Sequence, residues 1–372
     1  MALQPTPAIR ITAGDPAADA PRRRLGRRDW AALAAFALVA GGGTYYAKWH
    51  PYWLKGFKVA GDHTLGGSIV SGRSAAAPSG WHAALSFAAA YAKAIWVALA
   101  VGLLIAAAVE ELVPRDLLHR AVRGRPRSAA VRGMSLALPS MMCTCCSAPP
   151  TVALARSRAP LATTLGYWLG NPVLNPATLV FATLVLGWKW AVLRLAIGAV
   201  LVFGVAAGAQ RVFGVAAAAP AGMAPIPVTT GGGLDGSFPR RYLATLGRLA
   251  AGLVPEYAVA VLALGAARAW LFPAMSPATG HAAWLVAVLA VTGTLFVVPT
   301  AGEIPIIATL AVFGLGPAAA GALLIALPAV SLPSLLMVGR AVPVRALAFT
   351  VGAVVVAAGA AAAVAAAAGL VP

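Results

Sequence analysis

The stretch Pro139-Ser140-Met141-Met142-Cys143-Thr144-Cys145-Cys146-Ser147-Ala148-Pro149 interrupts an apolar segment near its middle, and Pro299-Thr300-Ala301-Gly302-Glu303-Ile304-Pro305 interrupts another in the same way. Superposing Pro149 on Pro305 sets Thr144 on Thr300 and Cys146 on Gly302. A further pair of breaks follows, Gly170-Asn171-Pro172-Val173-Leu174-Asn175-Pro176 in one half and Leu327-Pro328-Ala329-Val330-Ser331-Leu332-Pro333-Ser334 in the other; Pro176 matches Pro333 once one residue is allowed in the preceding loop. Uninterrupted apolar runs flank these breaks, residues 83–108 and 191–206 in the first half and 249–271 and 346–370 in the second. The chain therefore reads as two repeats, residues 83–211 and 240–372, joined by a linker over 212–239.

Composition says what solvent such segments face. The chain has 372 residues, 60% of them hydrophobic and only 10% charged, whereas soluble domains run near a quarter charged. Runs of roughly 20 apolar residues match a hydrocarbon core of about 30 Å, and about nine such segments are expected. Lipid-facing backbone must satisfy itself, so the segments are helices. The fold class is an all-α integral membrane protein, multi-pass, in a bacterial cytoplasmic membrane, with two inverted repeats and broken or re-entrant helices.

The excess of 28 Lys+Arg over 10 Asp+Glu, with Arg22-Arg23-Arg24 near the N-terminus, superficially suggests a nucleic-acid partner. In a multispanning chain, clustered Arg instead marks cytoplasmic loops facing anionic lipid, so the lipid bilayer is the expected partner and nucleic acid is not. Residues 1–28 read as a cytoplasmic, disordered basic tail, and residues 29–82 as an extra N-terminal membrane helix, spanning 30–47, plus an external loop over 48–80. Whether the broken segments around Cys145 and Glu303 cross or dip in and return is left open by hydropathy. If they return, Arg156, Arg158, Arg211, Arg240, Arg241, Arg248, Arg340 and Arg345 all fall on the cytoplasmic side, and the halves become inverted copies, a recurrent plan of secondary transporters.

Asn171-Pro172 and Asn175-Pro176 each pair a preferred N-cap with Pro at the first helical position. A half-helix starting at mid-bilayer aims free N–H groups at a cavity; a proline kink in a plain spanning helix is the bland alternative. Glu303, an acid between two proline breaks, lines a cavity or caps the helix begun by Ile304-Pro305; in the first case it is the candidate for proton coupling. Glu256 is a secondary candidate, with Arg248 as its expected partner. Cys143, Cys145 and Cys146 are the only cysteines and favour a soft, thiophilic species, metal or metalloid, although cysteine is also a small packing residue. Thr144, Asn171, Asn175, Thr300, Gly302, Ser331 and Ser334 complete the candidate substrate-binding set. None of the five histidines forms a ligand-spaced pair, and no cofactor is expected.

At Leu138-Pro139, Cys143-Thr144-Cys145 with Pro149, Leu174-Asn175-Pro176-Ala177, Gly302-Glu303-Ile304-Pro305 and Pro328 to Ser334, the chain resembles the predicted-permease family that includes the ArsP organoarsenical efflux permeases and the YraQ-type proteins. Cys146 stands where the family usually has Gly, Pro299-Thr300-Ala301 where Cys-Ser-Gly is common, and the first membrane run is extra. The resemblance implies a permease, some of whose relatives export trivalent organoarsenicals, rather than an enzyme. Two other classes stay open: a membrane thiol oxidoreductase using the cysteines, and a channel or membrane subunit of a larger transporter. Oligomeric state is not legible.

Overall fold

The computed structural model describes residues 26–63, 80–113, 126–157, 159–213, 237–271 and 283–372; residues 1–25 of the basic tail, residues 64–79 of the expected external loop, Arg115 to Arg125 and the linker centre lie outside them. Every regular element among the described residues is helical. They are α1 (Arg27–Asp62), α2 (Trp81–Glu111), α3 (Pro126–Ala137), α4 (Thr144–Arg156), α5 (Leu161–Val173), α6 (Pro176–Val185), α7 (Trp188–Phe213), α8 (Phe238–Leu271), α9 (Ala283–Leu295), α10 (Glu303–Val312), α11 (Pro317–Ala329), α12 (Leu332–Gly339) and α13 (Val344–Ala367). Among the described residues, six stretches are long and apolar enough to cross a membrane, with α11 and α12 counted as one. The chain is an all-α, multi-pass membrane protein.

Helix directions follow from contacts. Helices α2 and α8 are antiparallel: Ala84 lies beside Gly265, the Tyr91 and Tyr257 rings are 6.2 Å apart, and the Tyr242 hydroxyl donates to the Leu104 carbonyl at 2.9 Å. Helices α7 and α13 are antiparallel too, with Trp190 donating to the Val371 carbonyl at 3.0 Å and Phe213 meeting Phe349 at 6.1 Å near their other ends.

Helices α3 and α5, by contrast, run parallel. Thr163 donates to the Ala129 carbonyl at 3.1 Å near their starts, and Ser140, just past α3, bonds Asn171 in the last turn of α5. The approach is close enough that a Cβ on Gly133 would collide with the Thr163 carbonyl, the small-residue packing that membrane helices use in place of a hydrophobic drive. Since α4 lies between these parallel neighbours in sequence, α3 and α4 form a hairpin that returns to its starting side. Helices α5 and α6 continue in one direction and cross, antiparallel to α7, as Gln210 accepts from the Ala162 N–H at 3.0 Å and Arg194 reaches the Val173 carbonyl at 3.0 Å. The second half repeats the plan: α9 lies along α11, where Gly293 meets Ala326, α10 turns back, and α11–α12 run antiparallel to α13 with Gly321 on Ala361 and Gly339 on Leu347.

These directions sort the helix ends onto two faces. One carries Arg156, 3.6 Å from Glu110, and Arg241, 3.3 Å from Glu111, together with Arg211 at the end of α7; the other carries His63, Lys189 and the C-terminal Pro372. Exposed Trp81, Trp188 and Trp284 sit at helix starts, the place where indoles bridge lipid and water.

The N-terminal helix departs from expectation. Residues 48–62 are not loop: helix runs unbroken from Arg27 to Asp62, through π-helical turns at Leu38–Gly42 and Tyr45–Trp49. Ala32 packs with Ala108 and Leu112, while Tyr52 and Val59 pack with Phe181 of α6. Lys55 and Lys58 point outward. Mean hydropathy reads these polar residues as loop, but tertiary burial of one face sustains the helix.

Candidate functional site

Each broken segment restarts as a half-helix, and the restarts are capped by the residues the sequence singles out. Cys143 caps α4, Asn175 caps α6, Gly302 caps α10 and Ser331 caps α12. The Asn175 side chain accepts from the N–H groups of Ala177 and Thr178 at 3.0 and 3.3 Å, and Pro176 fills the first position, where no donor is needed. At Ser331 the Ser334 Oγ accepts from the Ser331 N–H at 3.1 Å, the arm of a capping box that reaches back to the cap. Both hairpin turns contain a non-glycine residue with positive φ, Met141 at 45° and Ala301 at 64°, a conformation that costs about 1–2 kcal/mol. The surrounding turns hold it; the Gly302 N–H, for instance, donates to the Pro299 carbonyl at 2.8 Å.

The restarts meet in the interior. Thr144 Oγ1 lies 3.2 Å and Cys145 Sγ 3.3 Å from Ser331 Oγ, which joins α4 of the first half to α12 of the second. The Cys143 and Cys146 sulfurs are 3.1 Å apart, and Tyr91 of α2 points its hydroxyl at Cys145 from 4.0 Å. All three thiols are free and buried. A Cβ on Gly102 would strike the Cys146 carbonyl, so α2 lies directly on the thiol turn.

A cleft lies beside them, lined by Cys143, Pro172, Thr178, Thr300, Glu303 and Pro328 among others. Its free volume is about 10 Å³, room for roughly one water molecule, so a larger solute requires the surrounding half-helices to move. Of the sequence candidates, Cys143, Thr300 and Glu303 line this cleft, while Thr144, Cys145, Ser331 and Ser334 form the adjoining hydrogen-bonded cluster. Asn171 does neither: its Oδ1 accepts from Ser140 and from the Met142 N–H at 3.1 Å, and its Nδ2 donates to the Tyr167 carbonyl at 2.9 Å, tying the hairpin tip to α5. Glu256 lies outside the cleft lining, partly exposed, and pairs with Arg340, whose Nε is 3.1 Å away, rather than with Arg248. Arg248 donates to Thr245.

Glu303 has a partner that sequence reading missed. Arg194 Nη1 is 2.6 Å from Glu303 Oε1, and the two side chains are 0% and 1% exposed. The same guanidinium donates to the Pro172 carbonyl at 2.7 Å and the Val173 carbonyl at 3.0 Å, the C-terminal end of α5. Arg194 thus clasps a half-helix end of the first half to the first residue of a half-helix of the second, and its Nη1 also lies 3.5 Å from the Leu324 carbonyl of α11. The available signal was an arginine inside the apolar run 191–206, where a charge is costly unless paired.

Lys48 was missed as well. Its ammonium, 5% exposed, donates to Thr300 Oγ1 at 2.9 Å and to the Tyr52 hydroxyl at 3.4 Å, and lies 5.4 Å from the Tyr52 ring centroid. Next to it, Trp49 donates to the Pro139 carbonyl at 2.8 Å, so α1 seats directly on both hairpin turns. Among the described residues, no group of three or more His, Cys, Asp and Glu is arranged to hold a metal ion.

No solved structure matches the chain significantly. A family profile described as predicted permease matches residues 80–221. The YraQ protein of Escherichia coli (strain K12) is 42% identical over 326 residues, covering 88% of this chain and 92% of the relative. An alignment of that identity runs through both halves, and the chain therefore belongs to the predicted-permease family.

Proposed function

We propose that this membrane permease carries a small thiophilic solute through the cleft between two inverted halves and exchanges it for a proton at Glu303. The observation that carries the reading is the Arg194–Glu303 pair, buried at 2.6 Å and spanning the two halves beside the thiols. Ionised, Glu303 holds Arg194, and Arg194 holds the end of α5. Protonated, Glu303 loses its charge and the clasp opens, freeing the half-helices that close the cleft. The magnitudes agree: unpairing a buried ion costs about 3–5 kcal/mol, and one charge crossing a potential of about 150 mV gains about 3.5 kcal/mol. The thiols and hydroxyls of Cys143, Thr144, Cys145 and Ser331 form the adjoining soft surface for the solute.

In everted vesicles assayed against a panel of trivalent arsenicals and soft metal ions, Glu303→Gln is expected to abolish transport driven by a proton gradient while leaving equal-concentration exchange. Gradient-driven transport equal to the parent's, at equal membrane protein, overturns the coupling role. A second reading, a membrane thiol oxidoreductase, draws on the Cys143–Cys146 approach at the start of α4. Replacing all three cysteines by Ser separates the two: a permease retains gradient dependence with altered substrate preference, whereas an oxidoreductase loses all activity.

A further inference from the structure

The charges around the cleft do not balance. Glu303 is matched by Arg194. Lys48 has no such match: among the described residues no carboxylate lies within ion-pair distance of its ammonium, which contacts the neutral oxygens of Thr300 and Tyr52 and the Tyr52 ring and has the Cys143 and Cys146 thiols within electrostatic reach. Desolvating an ammonium costs several kcal/mol, and two hydroxyl contacts do not restore an opposite charge. A buried ammonium that faces thiols and a phenol rather than a carboxylate can take an anion from elsewhere.

The same cleft offers further donors. Thr178, 0% exposed and lining the cleft, has a hydroxyl with no hydrogen-bond partner. Asn175, one turn earlier and behind the cleft lining, uses its Oδ1 to cap α6, and its buried Nδ2 has no partner among the described residues. The starts of α6 and α10, at Thr178 and Glu303, both border this space, so helix N-termini add partial positive charge to it. An ammonium, an unpaired hydroxyl and two helix starts all favour the same ligand.

We propose that the cleft takes a small anionic solute and that Lys48, contributed by the N-terminal helix, is its charge partner at Thr300. This rests on the reading of the breaks as the solute site and names the class of solute: a monoanion bearing a soft, thiol-seeking atom, its charge at Lys48 and its soft end toward Cys143. The seating of Trp49 on Pro139 fixes the depth at which α1 presents that charge. The N-terminal helix is then part of the binding site rather than a peripheral anchor.

The three cysteines are the only thiols in the chain and all lie at the site, so thiol labelling reports on the cleft without background. The full chain in proteoliposomes is exposed separately to an anionic and a cationic methanethiosulfonate, each of which converts a thiolate to a mixed disulfide and releases methanesulfinate. Rates are followed by intact mass and normalised to those with free 2-mercaptoethanol. The parent is expected to favour the anionic reagent by about tenfold or more; Lys48→Gln should bring the ratio to about one or below, and Lys48→Arg should keep it. Taking a ratio cancels any change in thiol ionisation that the substitution causes. Charge-blind labelling of the parent, or a ratio unchanged by Lys48→Gln, overturns the anionic class while leaving a solute site in place. If neither reagent reacts, nitrate titrated against gluconate at constant ionic strength decides: thermal stabilisation of the parent that Lys48→Gln loses supports the proposal, and its absence overturns it.

Discussion

Arg194 is among the largest fully buried side chains of the molecule, and its bonding explains why it is arginine. A planar guanidinium can serve a carboxylate and two backbone carbonyls at once, as it does for Glu303, Pro172 and Val173; a lysine offers one compact charge without that fork. Arg194→Met alone leaves Glu303 buried without a partner, so the variant is expected to lose about 3–5 kcal/mol, read as a lower melting temperature and reduced yield in detergent. The double variant Arg194→Met/Glu303→Met removes both charges and should recover most of that loss while remaining inactive in gradient-driven transport. Recovery of transport in the double variant would show that the clasp is scaffold only. Neither the pair nor Lys48–Thr300 is legible from local sequence, because the partners are 109 and 252 residues apart and only the packing of broken helices brings them together.

At the scale of the element, the breaks themselves were legible, because their grammar is local. Asn-Pro places a cap and a donor-free first position side by side, and the structure starts α6 at that Asn175-Pro176 step. Asn171-Pro172 has the same spelling yet stays within α5, since Asn171 is engaged by Ser140 and Met142 of the neighbouring hairpin; a tertiary contact overrides the local preference. The length of α1 was illegible for the converse reason: its polar residues hide a packed face that exists only once α6 is in place. Two substitutions test these elements. Asn175→Ala removes two hydrogen bonds at the start of α6 and should cost about 1 kcal/mol, with Asn175→Asp retaining the cap; equal melting temperatures for Asn175→Ala and the parent would show that the cap contributes nothing. Gly102→Val puts a branched side chain against the Cys146 carbonyl, so α2 must move away from the thiol turn. Its expected signature is faster labelling of the thiols than in the parent, together with lower thermal stability.

At the scale of the whole molecule, helix directions and charge converge on one orientation. The pairs α2/α8 and α7/α13 are each antiparallel, so the opening helices of the halves enter from opposite faces, and so do the closing ones. With α3–α4 returning and α5–α6 crossing, each half makes an odd number of passages, and the chain reaches its C-terminus on the face opposite the ends of α7 and α4. The face with the ends of α7 and α4 is the one where Arg156, Arg211 and Arg241 gather, and the bias of arginine toward the cytoplasm predicts that it is the inner one. A crossing hairpin would instead give each half an even number of passages, and it conflicts with the parallel contact of Thr163 with Ala129. The expected outcome is that a reporter inserted between Phe213 and Phe238 is active only in its cytoplasmic form, as is one placed just before Arg27, whereas a reporter fused after Pro372 is active only in its periplasmic form. A cytoplasmic C-terminus together with a cytoplasmic linker would require an even number of passages in the second half, and the inverted arrangement, with the alternating exposure of the cleft that it permits, would have to be abandoned.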